Sequence, residues 1–215
     1  MDARPDSLQR NAWLALIAFV ALTAGVLVAL LGKQQHAPAI DGLLWPDPPR
    51  VPPFSLAAAH GGTLDQSSLR GRWTLLFFGF THCPDVCPTT LATLKRAVAN
   101  LQDFKPFADR GQVLFVSLDP ERDSPEKLAA YVDYFDPRFR AATGSEDALD
   151  ALIRPLGVIR AKVPAAGGDY TLDHTASIFL VDPSLRVLGL LGLPHDATKI
   201  ASSVRTLTAF AAEHP

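Results

Sequence analysis

The stretch WTLLFFGFTHCPDVCPTTLATLKRAVANL, residues 73–101, decides how this chain folds. Trp73–Phe80 is apolar throughout, which predicts a strand buried on both faces of a sheet. A helix is predicted to follow and to end near Leu101. Pro84 and Pro88 bracket Cys87, and proline is tolerated in a helix only near its start, so the helix begins between 84 and 88. Cys83 and Cys87 are the chain's two cysteines. Both fall at or just before a helix N-terminus, where the partial positive charge favours thiolate over thiol.

The segments around this unit extend the pattern. Gln112–Leu118, QVLFVSL, predicts a second buried strand. Ser124 and Pro125 read as the cap and first residue of a helix running to about Phe135, and Ser145 as the cap of a shorter one ending near Arg154. Ser177–Val181 and Arg186–Leu191 flank Asp182-Pro183-Ser184, which reads as strand, turn, strand. Asp196 is placed to cap a last helix, with Ile200, Val204, Leu207 and Ala211 at helical spacing. Strands alternating with helices imply parallel pairs, and the late hairpin adds antiparallel strands. The class is α/β: a mixed sheet with helices on both faces, in the order of a thioredoxin-like fold. That fold puts its reactive site between the first central strand and its helix, where the cysteines lie.

Upstream, Ala12–Leu31 contains no charged residue. Twenty helical residues span about 30 Å, the thickness of a hydrocarbon core. Residues 1–11 then form a short cytoplasmic N-terminus, 12–32 a transmembrane anchor, 33–53 a Pro-rich linker and 54–213 the folded domain. A cleaved signal peptide is the alternative, but its apolar region would be shorter, and Ala37-Pro38-Ala39 matches a cleavage site poorly. Arg4 and Arg10 precede the span and Lys33 follows it, which favours N-inside with the domain outside. Asp2 and Asp6 argue against an organelle transit peptide. The sequence reads as a single-pass protein of a bacterial cytoplasmic membrane, its domain facing the periplasm. A formal net charge of −2 with scattered basic residues gives no support to a nucleic-acid partner.

Three uses of the two thiols stay open: structural filler, a dithiol oxidoreductase, or a metal site. Residues four apart on a helical turn share a face, with Cα atoms about 6 Å apart, within reach of a disulfide. The same spacing lets two thiolates point at one ion, which then needs a third ligand. Of six histidines, His36, His60, His82, His195 and His214 read as linker, loop, tail or surface residues. His174 differs, because it stands in YTLDHTASIFLVDP just ahead of an apolar strand. Two thiolates and an imidazole suit Cu(I) and can hold Cu(II). Zinc would want a fourth donor, for which Asp85 or water are the options. Asp119, Glu121, Arg122 and Asp123 in DPERDSPE read as a solvated turn and helix entry.

GFTHCPDVCPTTL, VSLDPERDSPE and YTLDHTASIFLVDP, in that order, resemble the Sco/SenC family over about 54–213. Members are membrane-anchored, thioredoxin-like copper proteins that help assemble cytochrome c oxidase. The resemblance implies that Cys83, Cys87 and His174 are copper ligands, and that Asp173 matches the acidic residue before the ligand histidine. It further implies a metallochaperone that loads the binuclear copper site of cytochrome c oxidase subunit II. A Cys83–Cys87 dithiol/disulfide would gate copper, with an upstream copper donor or thiol reductant as a further partner. The alternative is a thiol–disulfide oxidoreductase that reduces the acceptor's cysteines and carries no metal. One departure is that Asp182-Pro183-Ser184-Leu185 lacks the glycine common just after D-P in the family. This concerns hairpin shape.

Overall fold

The computed structural model describes residues 7–32, 40, 42–45, 47–165 and 168–213. The chain divides into two compact units, 1–37 and 38–215. In the first, helix α1 spans Ser7–Gly32. The side chains described in it, 11–27, are all exposed, Trp13, Leu14, Ile17 and Phe19 among them. Among the described residues no helix is long and apolar enough to cross a membrane. His36, His214 and Ala37-Pro38-Ala39 lie outside the described residues.

The second unit is built on an eight-stranded sheet. Its spatial order is β1 (Leu43–Leu44), β10 (Val187–Leu191), β9 (Ile178–Val181), β4 (Trp73–Gly79), β5 (Gly111–Ser117), β6 (Arg140–Thr143), β2 (Ser55–Ala58) and β3 (Thr63–Asp65). Strand β4 runs parallel to β5, from Trp73 opposite Gly111 to Gly79 opposite Ser117, and antiparallel to β9. Strand β6 continues the parallel set beside β5. Every residue of β4 and of β9 is buried, as the unbroken apolar runs require. Helices α2 (Val86–Ala99), α3 (Lys105–Arg110), α4 (Pro125–Phe135), α5 (Glu146–Ile153) and α6 (Ala197–Glu213) complete the unit.

Helix α2 packs on both α4 and α6. On that face of the sheet Gly79 abuts Cys87, and Phe115 meets Tyr131 of α4 at 5.8 Å. On the other face Phe78 stands edge-on to Phe179 at 5.4 Å. The caps read from the sequence form. Ser124 Oγ accepts from Lys127 N–H, Ser145 Oγ from Ala148 N–H, and Asp196 Oδ1 from the Thr198 and Lys199 amides.

Three features depart from the sequence reading. Part of the 33–53 stretch extends the sheet instead of acting as a spacer. β1 pairs with β10, Pro49 O accepts from Val187 N–H, and Val51 is 1% exposed with its N–H on Leu185 O. Proline lacks a donor but keeps its carbonyl, which suffices at a sheet edge. Second, a hairpin of β7 (Arg160–Pro164) and β8 (Tyr170–His174) stands as its own two-stranded sheet. Third, where the β9–β10 turn lacks its glycine, Leu185 takes φ 69°. The left-handed conformation costs roughly 1–2 kcal/mol, which burial of the leucine side chain offsets.

Candidate metal centre

Cys83 lies in the loop between β4 and α2, and Cys87 in the first turn of α2. Asp85 precedes the helix but makes no side-chain cap. Cys83 supplies one acceptor instead, its Sγ taking the Cys87 N–H at 3.4 Å. Both cysteines are free; Cys83 is half-buried and Cys87 fully buried. The Cys87 thiol donates to the Cys83 sulfur, and the Cys87 and Asp85 amides add to it. Against the opposing effect of burial they hold Cys83 down at about 5, from an ordinary 9.0. Cys87, the donor of the pair and buried, is pushed far above the ordinary thiol range. The pair is thus divided into one half-exposed thiolate and one buried thiol.

Gly79 makes this packing possible. A methyl group there would stand 2.8 Å from Cys87 Sγ and equally close to the Phe115 ring. The sequence signal was a glycine inside an apolar strand, which marks close approach of another group.

His174 closes β8. Its Nδ1 is 3.0 Å from Thr175 O. A carbonyl can only accept, so Nδ1 carries the proton and Nε2 presents its lone pair. Nε2 lies 3.8 Å from Cys87 Sγ, across 87 residues of sequence. Metal–sulfur and metal–imidazole bonds of about 2.3 and 2.0 Å at tetrahedral to trigonal angles put the two donors roughly 3.5–3.7 Å apart. The observed contact therefore fits two ligands of one ion. Phe77 and Phe80 meet the imidazole at 6.5 and 5.9 Å, as apolar walls. As the side chains lie, no group of three or more His, Cys, Asp or Glu among the described residues is gathered tightly enough to hold an ion. Cys83 Sγ reaches the Cys87 amide. A cleft of about 180 Å³ opens here, lined by Phe80, Cys83, Pro84, Leu172, Asp173 and His174.

Asp173 is exposed at that cleft, and strand alternation sends its side chain to the face opposite His174. Asp85 is exposed and accepts from Thr89 Oγ1. Exposed His60 pairs with Asp133 at 3.0 Å, and exposed His82 lies beside Lys127. His195 is not a plain surface residue. It is half-buried, takes the Thr90 hydroxyl on Nδ1 at 2.9 Å and donates from Nε2 to Leu191 O at 3.2 Å. Its edge meets Phe77 at 6.2 Å.

The DPERD segment corrects the sequence reading most sharply. Asp119 and Asp123 are 1% and 0% exposed. Asp123 accepts from Thr81 N–H at 2.8 Å, from the Thr81 hydroxyl and from Ser117 Oγ. It ties the loop that carries Cys83 to the end of β5. Asp119 accepts from Arg122 Nε at 2.6 Å and from Tyr170 OH at 2.7 Å. A run of charged residues reads as solvated unless its partners are visible, and these lie 42 and 51 residues away.

Residues 46–209 match the SCO1/SenC family profile. The chain is 36% identical over 155 residues to the human protein SCO1 homolog, mitochondrial; the match covers 72% of this chain and 51% of that one. The fold resembles the crystal structure of Arabidopsis thaliana ScoI with copper bound, at 31% identity and a TM-score of 0.69, covering 74% of this chain and 99% of that one. Bradyrhizobium japonicum ScoI with copper bound gives 36% identity and a TM-score of 0.64, covering 78% and 98%. The chain spans about half the length of the curated relatives it matches. With most of its folded unit inside the profile and the thioredoxin-like sheet in common, this chain belongs to the SCO1/SenC family.

Proposed function

We propose that this chain is a copper carrier of cytochrome c oxidase assembly, holding copper between Cys83, Cys87 and His174. The observation that carries this is the 3.8 Å approach of His174 Nε2 to Cys87 Sγ, with the imidazole already in the tautomer that offers Nε2. Two thiolates and an imidazole are soft and borderline donors, suited to Cu(I) and able to hold Cu(II). Structures of two family members of similar fold hold bound copper. Asp173, at the cleft mouth, acts outside the ligand set as an acidic neighbour.

In the reduced chain the Cys83 thiolate and the His174 lone pair are ready donors, and Cys87 gives up its proton as copper enters. Joining Cys83 Sγ to Cys87 Sγ by exchange with a disulfide of the acceptor passes two electrons to that disulfide, releases the one proton held by Cys87 and withdraws both sulfurs, so redox state gates copper. A site with three protein ligands leaves a position for an incoming thiolate, which permits handover by ligand exchange. The acceptor is the binuclear copper site of oxidase subunit II. An upstream donor or thiol reductant restores the loaded form. The apolar 12–32 segment anchors the protein as a single pass in a bacterial cytoplasmic membrane, with the domain facing the periplasm.

One observation favours a second reading. A half-exposed Cys83 thiolate beside a buried Cys87 thiol is also the arrangement of a nucleophile and its resolving partner. On that reading the chain reduces the acceptor's cysteines without carrying metal. His174→Ala in the full chain, expressed in cells lacking the native copy, separates the two. A carrier loses copper loading of subunit II, measured as the copper content of the isolated oxidase. If loading is retained while Cys83→Ser abolishes it, the reductase reading holds and the carrier reading fails.

A further inference from the structure

We infer that Tyr170, Arg122 and Asp119 form a latch that positions His174 against the cysteines without touching the metal. The copper part of this inference rests on the function proposed above; the positioning part does not. His174 sits on the β7–β8 hairpin, which makes no ladder with the eight-stranded sheet. Its place is therefore set by side chains. Along β8, alternation puts Tyr170, Leu172 and His174 on one face. Leu172 is buried, and Tyr170 OH reaches Asp119 Oδ1 at 2.7 Å and Glu121 Oε2 at 3.1 Å. The Arg122 guanidinium lies 3.7 Å over the Tyr170 ring. It donates from Nη1 to Tyr170 O at 2.9 Å and from Nε to Asp119 Oδ2. On the facing strand Arg160, in register with His174, donates to Leu118 O at 3.2 Å.

All of these partners lie in one short segment, residues 118–123, directly after β5. From the same segment, buried Asp123 grips Thr81 two residues before Cys83. One loop thus holds both pieces of chain that bring ligands to the site: the cysteine loop through Asp123 and the histidine hairpin through Asp119 and Arg122. Releasing the hairpin lowers the fraction of molecules with His174 in place, and apparent copper affinity falls by that fraction.

The test uses Tyr170→Phe, which keeps the ring and loses the hydroxyl, and Arg122→Gln as an independent second variant. In the reduced, metal-free protein, amide exchange over 170–174 is expected to quicken while β4 and β5 are unchanged. Cu(I) affinity, by competition with a chromophoric chelator, is expected to weaken roughly three- to tenfold. In a His174→Ala background the same substitution is expected to cost nothing further, because a latch acts only through the residue it positions. Unchanged exchange over 170–174 in both variants overturns the latch. So does an equal loss of affinity with and without His174. If the parent protein binds no Cu(I), the proposed function fails, and the exchange data alone decide whether the latch exists.

Discussion

Cys83 provides the sharpest quantitative prediction, because its environment separates it from an ordinary thiol by acidity rather than by exposure alone. Holding it at about 5 instead of 9.0 makes roughly nine-tenths of it thiolate at pH 6, against about one part in a thousand for an ordinary thiol. Nucleophilicity falls with acidity at a Brønsted slope near 0.4–0.5, which returns about fifty-fold of that nine-hundred-fold gain. The net expectation is alkylation by iodoacetamide on the order of ten times faster than a free model thiol at pH 6, and near parity at neutral pH. The pH profile is therefore more informative than the rate. In the reduced, metal-free protein it should plateau above about pH 6 and fall tenfold per unit below 5. Mass spectrometry should place the label on Cys83, since Cys87 is buried and held protonated. Cys87→Ala removes the largest cause of the shift, the donated thiol hydrogen bond, so the knee should move up toward the ordinary range. A knee near 9 in the parent protein, or one unmoved by Cys87→Ala, would refute the reasoning.

Two further predictions concern the packing around the site. Gly79→Ala puts a methyl group 2.8 Å from Cys87 Sγ and from the Phe115 ring. It should cost about 1–3 kcal/mol in urea denaturation, and an unchanged midpoint would mean that both neighbours yield freely. Burial holds His195 below its ordinary 6.5, opposed in part by the Leu191 carbonyl. The folded chain therefore releases this proton at lower pH than the unfolded chain, and the residue's contribution to stability is complete above 6.5 and lost as pH falls below it. His195→Gln should flatten the acid-side dependence of the urea midpoint, and an unaltered slope would contradict the assignment.

What was legible in the sequence follows from what is local. Trp73–Phe80 and Gln112–Leu118 announce central strands because burial on both faces leaves few polar positions, here Thr74, Gln112 and Ser117, each hydrogen-bonded. Ser124, Ser145 and Asp196 announce helices because a cap and its amide are three residues apart or fewer. The two cysteines could be placed at a helix start because Pro84 and Pro88 limit where that helix begins. His174 was singled out by its motif, but its position at the end of a strand in a separate hairpin was not, because β7 is largely exposed and both strands are only five residues long. Asp119, Asp123 and His195 were misread for one physical reason. A polar residue is buried only where distant donors or acceptors meet it, and Thr81, Tyr170 and Thr90 do so from 42, 51 and 105 residues away. Residues 43–51 escaped notice because a two-residue edge strand beside prolines has almost no local signal.

The most direct test of the central claim is an anaerobic titration of the reduced protein with Cu(I), repeated for Cys83→Ala, Cys87→Ala and His174→Ala. The account predicts one tightly held copper per chain, with affinity lowered in each variant. A parent protein that binds no Cu(I), or one whose affinity is unchanged by His174→Ala, would contradict a site built from two sulfurs and the Nε2 that lies 3.8 Å from one of them.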